Sequence, residues 1–233
     1  CPTPPEAKGP DMRTFLLPRS DYSIEDVWHT SGLRGTGSND IVVEDAFVPE
    51  HRTHRLIDGF FRKSPGNALH TAPLYRLPFG QLFVRSVSTT AIGLAQGALD
   101  AYLAIGRERV AQSDGAKVAH DVAAQEAAAG AAATIDEVGL VLRRNVDELM
   151  EMAERGEDMP LDRRIRFRHD SSRVVDRCME AVDALFTASG GRAIFHEHPL
   201  NRYWLDMHAA RAHYANNPAK PARNLGGTML GLK

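Results

Sequence analysis

The apolar residues change their period at about Phe79, and that change constrains the fold more than any other feature of the chain. Before it, short apolar runs are cut by proline and glycine; after it, apolar residues recur every three or four positions almost to the C-terminus. Val87, Ala91, Leu94, Ala98 and Tyr102 mark one buried helix face, and the small residues Ala91, Gly93, Ala95, Gly97 and Ala98 let a neighbouring helix come close. A second helix is predicted from about Ala119 to Glu154, with a stripe of Ile135, Val138, Leu142, Val146, Leu149 and Ala153, ended near Gly156. A third starts at Pro160, carries Ile165, Val175, Cys178, Val182, Leu185 and Phe186, and breaks at Ser189-Gly190-Gly191. A fourth spans about Leu200 to Tyr214 and stops at Asn216-Asn217-Pro218. Three long helices and a shorter fourth, joined by short loops, predict an antiparallel four-helix bundle.

Residues 1–70 read as strand and loop. Thr14 to Leu17 is an apolar run stopped by Pro18, and Ile41-Val42-Val43 with Phe47-Val48 form a β-branched stretch ended by Pro49. Gly59 to Pro78 reads as an irregular connector. The expected organisation is a β segment with its connector over residues 1–70, then a helical bundle over residues 71–233. An opening of Cys-Pro-Thr-Pro-Pro, without an initiator methionine, reads as a piece of a longer protein.

With 28 basic and 30 acidic residues the net charge is -2, which gives no electrostatic case for nucleic acid or a membrane surface. No apolar run approaches the roughly 18 residues that a membrane span needs. Two cysteines, Cys1 and Cys178, make a disulfide framework unexpected and point to a reducing cytoplasm; Cys178 lies in an apolar stripe and reads as an inert core residue.

Several motifs invite chemistry, and each has a plain alternative. Gly32-Leu33-Arg34-Gly35-Thr36-Gly37-Ser38 lacks the Lys-Ser/Thr ending of a phosphate loop and is followed by a strand-like run, so it reads as a tight turn. No metal is expected: His208 and His213 are five apart and diverge by about 140° on a helix, and His196-Glu197-His198 has no further ligand at a useful spacing. Asp206-Met-His-Ala-Ala-Arg-Ala-His-Tyr214 puts two histidines and an arginine on the fourth helix, with no Asp or Glu after Asp206. By periodicity alone His213 is a histidine at a helix end, Arg107 and Arg109 are a solvated helix end, and Ser189-Gly190-Gly191 is a helix stop.

These residues also carry a resemblance. Trp28, Gly32 to Asn39, and Val42-Val43-Glu44-Asp45-Ala46-Phe47-Val48-Pro49 resemble the end of the middle β-domain of acyl-CoA dehydrogenase-fold proteins. The Gly-Leu-Arg-Gly-Thr-Gly-Ser form, with Ala72 to Gly80, Leu185 to Gly190 and His208 to His213, is similar to the oxygenase component of two-component, reduced-flavin-dependent monooxygenases that hydroxylate phenols. The resemblance implies a mainly α fold: a C-terminal four-helix bundle, preceded by the remnant of a β-barrel domain, with the N-terminal helical domain absent. It implies hydroxylation of a small aromatic substrate with O2 and reduced FMN or FAD, through a flavin C4a-hydroperoxide, the flavin coming from an NAD(P)H:flavin reductase. It also implies a homotetramer or homodimer. His213 matches a histidine placed beside the flavin and the substrate hydroxyl; Arg107, Arg109, Ser189, Gly190 and Gly191 match positions near the flavin phosphate.

The missing carboxylate then separates two chemistries on one scaffold. An acyl-CoA dehydrogenase needs a glutamate to take an α-proton, and neither His213-Tyr214-Ala215 nor Val84 to Val87 supplies one. Losing a general base costs about 10²- to 10⁴-fold. A hydroxylase needs instead a group that steers the proton of a phenol, and imidazole suits that at neutral pH. The alternatives to a hydroxylase are a dehydrogenase with an unusual base and a non-catalytic helical assembly domain.

Overall fold

The computed structural model describes residues 11–110 and 115–232; Cys1 lies outside them. The first part forms two separate antiparallel ribbons. β1 (Arg13–Phe15) pairs with β4 (Thr53–Arg55), aligning Thr14 with His54, and β2 (Ser23–Glu25) pairs with β3 (Asp40–Val42), aligning Ile24 with Ile41. No residue of these strands is fully buried. The strand expected to run on from Ile41 to Val48 is shorter: Asp45 has φ +46°, a left-handed turn that β-structure cannot pass through, so Phe47 and Val48 lie in coil. Gly59 to Pro78 holds the end of α1 (Leu56–Phe60), then α2 (Gly66–Leu69) and a 3-10 turn over Pro73–Arg76.

Four helices build the bundle. α3 is Phe79–Glu108, entered from Pro78; α4 is Val122–Glu154; α5 is Leu161–Ala188, entered from Pro160; α6 is Pro199–Ala212. The second helix starts a few residues later than its periodicity suggests. Asp121 caps it, its carboxylate accepting from the Ala123 and Ala124 amides at 2.7 and 3.2 Å. A fifth helix, α7 (Ala219–Met229), follows Pro218 and packs on α5.

α5 lies at the centre, against α3, α4, α6 and α7. Ala91, Ala95 and Ala98 of α3 are fully buried, and this stripe of small side chains admits Val175, Cys178, Val182 and Leu185 of α5. Each large side chain buried there contributes roughly 1.5–3 kcal/mol. Gly97 serves α6: a β-carbon on it would lie 2.6 Å from the Tyr203 ring. The α4 stripe is turned slightly from its expected register. Val146 is exposed and Asn145 is buried, because the Asn145 amide donates across to Asp170 of α5 at 3.0 Å. Cys178 is fully buried, and burial pushes its thiol pKa up to about 12, as suits a core residue rather than a nucleophile.

Candidate functional site

The fourth bundle helix ends one residue before His213, not at Tyr214. Ala210 O accepts from the His213 amide at 3.2 Å and from the Asn216 side-chain amide at 2.7 Å, and these bonds close the helix. His213 itself is extended, with φ −63° and ψ 134°, so its ring leaves the helix surface. Ring Nδ1 accepts from the Ala215 backbone amide at 3.1 Å. An amide can only donate, so Nδ1 carries no proton, and the proton of the neutral ring sits on Nε2. His213 thus presents a donor outward.

Around it stands a row of aromatic rings. Phe60 meets Phe79 edge-on at 5.7 Å, Phe79 stacks near Phe83 at 5.7 Å, and Phe83 lies 6.2 Å from Tyr214 and 6.3 Å from His213. Gly80 makes this row possible, since a β-carbon there would sit 2.9 Å from Phe60. Phe79 and Tyr214 remain 42% and 74% exposed, so the row is an open apolar face rather than a core. Among the described residues no ion pair reaches His213.

The other end of α6 is polar. His198 caps the helix, its Nδ1 accepting from the Leu200 amide at 3.3 Å. Arg109, just past the end of α3, donates Nη1 to Ser189 O at 2.5 Å. Ser189 closes α5, its hydroxyl donating to Leu185 O at 2.9 Å, and Gly190 follows with φ +66°, which only glycine adopts freely. A β-carbon on Gly191 would meet open space. Arg109, Arg192, Phe195 and His198 line a groove of about 780 Å³. Burial, and then the Arg109 charge, hold the His198 pKa below the usual imidazole range. A guanidinium beside a glycine whose backbone is open has the chemistry to hold an anion such as a phosphate group.

The structure therefore brings Arg109, Ser189 and Gly190 together, with Gly191 next to them, and leaves two residues elsewhere. Arg107 lines a separate apolar pocket of about 170 Å³ with Tyr102, Leu103 and Val118. His213 lies just past the far end of α6 from His198, and the 14 residues of that helix put its two ends roughly 21 Å apart. His208 bonds Asp183 at 2.9 Å beside Trp204, on the outer α5–α6 face. Sequence reasoning did not single out Arg192 and Phe83, and it weighed His198 only as a metal ligand and Tyr214 only as part of a position without a carboxylate. Arg192 and Tyr214 directly follow Gly191 and His213, a signal that was available; Phe83 meets His213 only through the fold.

Asp206, the last carboxylate of the chain, is already engaged. It accepts from the Leu33 amide at 2.6 Å, and Trp28 Nε1 donates to Leu33 O at 2.9 Å. Gly32 lies so close to α6 that a β-carbon on it would be 2.1 Å from Leu205 O. The glycine-rich segment is a docked turn, left-handed at Leu33 and Gly37 around a 3-10 turn, and it leads into β3.

Comparisons with known proteins bear on the family and the fold. Residues 86–218 match the family model described as acyl-CoA dehydrogenase, C-terminal domain. The chain is 39% identical over 223 residues to the flavin-dependent monooxygenase oxygenase subunit HsaA of Rhodococcus jostii strain RHA1, covering 95% of this chain and 58% of that one. It is 32% identical over 241 residues to the oxygenase component of the FADH2-dependent resorcinol hydroxylase of Rhizobium sp. strain MTP-10005, covering 99% and 59%. The crystal structure of the 3-HSA hydroxylase from Rhodococcus sp. RHA1 superposes with a TM-score of 0.89 at 38% identity, over 97% of this chain and 58% of that one. The chain spans about three-fifths of the length of the curated relatives it matches.

Proposed function

The chain belongs to the acyl-CoA dehydrogenase C-terminal-domain family, and from that premise we propose that it is part of the oxygenase component of a flavin-dependent monooxygenase acting on a phenol. The observation that carries this reading is the outward Nε2 donor of His213 on an open aromatic face, which no ion pair reaches among the described residues. When bound, reduced FMN or FAD supplies two electrons, so that one atom of O2 enters the substrate ring and the other leaves as water.

The chain's own residues have the remaining tasks. Phe83, Phe79 and Tyr214 offer flat apolar contacts against which a phenol ring stacks and from which water is displaced. His213 Nε2 donates to the substrate oxygen and holds it as the O–H proton departs; with Nδ1 engaged by Ala215, donation suits it better than proton abstraction. Arg109, Ser189, Gly190 and Gly191 are assigned to the flavin phosphate, with Arg192 and His198 beside them. Because the two ends of α6 lie about 21 Å apart, they serve distant parts of an extended cofactor or two copies of the chain in an oligomer. Arg107 has no part in this scheme. A separate NAD(P)H:flavin reductase fits the names of the relatives, which are called oxygenase subunit and oxygenase component. No described helix is long and apolar enough to cross a membrane.

The test uses the full-length protein, reduced flavin and a panel of phenols under ¹⁸O2. Label in a hydroxylated product supports the reading. Bleaching of bound oxidised flavin by an acyl-CoA, with no labelled product from any phenol, overturns it in favour of a dehydrogenase.

A further inference from the structure

Four buried side-chain atoms among the described residues have no hydrogen-bond partner: Nε and Nη2 of Arg85, Nη1 of Arg168, and Oδ1 of Asn216. They come from distant parts of the sequence yet belong to one junction, where α3 and α5 meet the 3-10 turn Tyr214–Asn216 that follows His213. Interiors leave few such groups, and an unmatched charged one is the costliest kind. Their gathering behind the proposed substrate face calls for an explanation.

Arg85 is only 6% exposed. One Nη donates to Gln81, to the backbone oxygen at 2.6 Å and to Oε1 at 3.0 Å, and the guanidinium lies 5.6 Å from the Phe167 ring centre. Burial lowers its pKa to about 10, with Asp170 opposing and Arg168 adding to that effect, so it stays charged at neutral pH. Arg168 is half-buried and donates Nη2 to Ala215 O at 2.7 Å. Ala215 is the residue whose amide holds His213 Nδ1, so Arg168 braces the turn that aims the imidazole. Asp170 is committed elsewhere: it pairs with Arg144 at 3.2 Å and Arg166 at 3.6 Å and accepts from Asn145. Among the described residues, neither Arg85 nor Arg168 has an ion-pair partner.

Stability does not account for such a pair, since replacing buried ionic groups by apolar ones of similar volume is often neutral or stabilising. One buried and one half-buried cation do favour an anion formed nearby. We propose that Arg85 and Arg168 are positioning residues that supply positive potential beneath the aromatic face and so favour the phenolate form of a phenol bound there. They act through space and through the His213 turn, without touching the ligand. The phenol O–H gives its proton to water, and nothing is oxidised or reduced in that step. This inference rests on the phenol-hydroxylase reading above.

The experiment titrates 4-nitrophenol bound to the flavin-loaded, full-length protein, following the absorbance of its phenolate against pH. Arg85→Met and Arg168→Met each raise the midpoint of the bound probe by about one pH unit, a tenfold loss of phenolate preference. Arg85→Lys restores most of the shift, and Arg85→Met unfolds at the wild-type temperature or higher. Folded Arg85→Met and Arg168→Met proteins that bind the probe with an unmoved midpoint overturn the inference. Should Arg85→Met fail to fold, Arg168→Met at the half-buried position decides alone. A wild-type protein that binds no phenol overturns the hydroxylase reading and this inference together, whereas binding with unmoved midpoints overturns only the inference.

Discussion

The two ends of α6 are built from opposite materials. At the C-terminal end His213 has no ion pair among the described residues, stands beside exposed and partly exposed rings, and is held by the Ala215 backbone amide. At the N-terminal end His198 is a cap, partly desolvated beside Arg109, whose guanidinium is fixed on Ser189 O next to a left-handed glycine. One end suits a flat ring and the other an anion. In the proposed scheme the two ends have different tasks, the ring end facing a phenol and the polar end a flavin phosphate.

The largest expected effect breaks the ring end. In the full-length protein His213→Ala should lower the yield of hydroxylated product per O2 consumed by on the order of 10²-fold, with oxygen released as hydrogen peroxide. His213→Gln, which keeps a donor, should recover part of that yield; paired product and oxygen assays check both. At the phosphate end, Arg109→Met should weaken flavin binding by about ten- to a hundredfold, measured by fluorescence titration, as expected for a charge-assisted contact. Gly190→Ala should cost about 1–2 kcal/mol in thermal unfolding, because its φ of +66° strains any residue with a β-carbon. Arg107→Ala should change flavin affinity by less than about twofold, since Arg107 faces a different pocket.

The polar end also has a pH signature. His198 holds its proton less firmly than an ordinary histidine, first through burial and then through Arg109. The unfolded chain therefore binds more protons than the folded one between that lowered pKa and about 6.5, and folding stability rises with pH across this window. Arg109→Met should move the His198 midpoint upward in an NMR titration. A midpoint that stays in place would leave burial as the only cause.

Much of the bundle was legible because its punctuation is local. Pro78, Pro160 and Gly190 stop or start helices through their own backbone preferences, and the alanine stripe of α3 announces a close neighbour. α7 was not legible, since Pro221 and Gly226-Gly227 look like breakers; Pro221 lies in the first turn, where no helical amide is required, and its ring is buried. The end of α6 was misplaced because the bond from Asn216 to Ala210 O joins residues six apart, a contact that periodicity does not encode. Arginine spacing alone could not separate Arg107 from Arg109, which point to opposite sides of a helix end. Arg85 was overlooked for the reverse reason. A charge between Val84 and Ser88 in a buried register is visible in the sequence, but only the fold shows that, among the described residues, two of its nitrogens find no hydrogen-bond partner.

The claim on which the rest depends is that the end of α6 offers a proton on His213 Nε2 to whatever binds the aromatic face. ¹⁵N NMR of the His213 ring near pH 8 measures this directly. The account predicts a protonated Nε2 and a bare, hydrogen-bonded Nδ1; a neutral ring protonated on Nδ1 would contradict it.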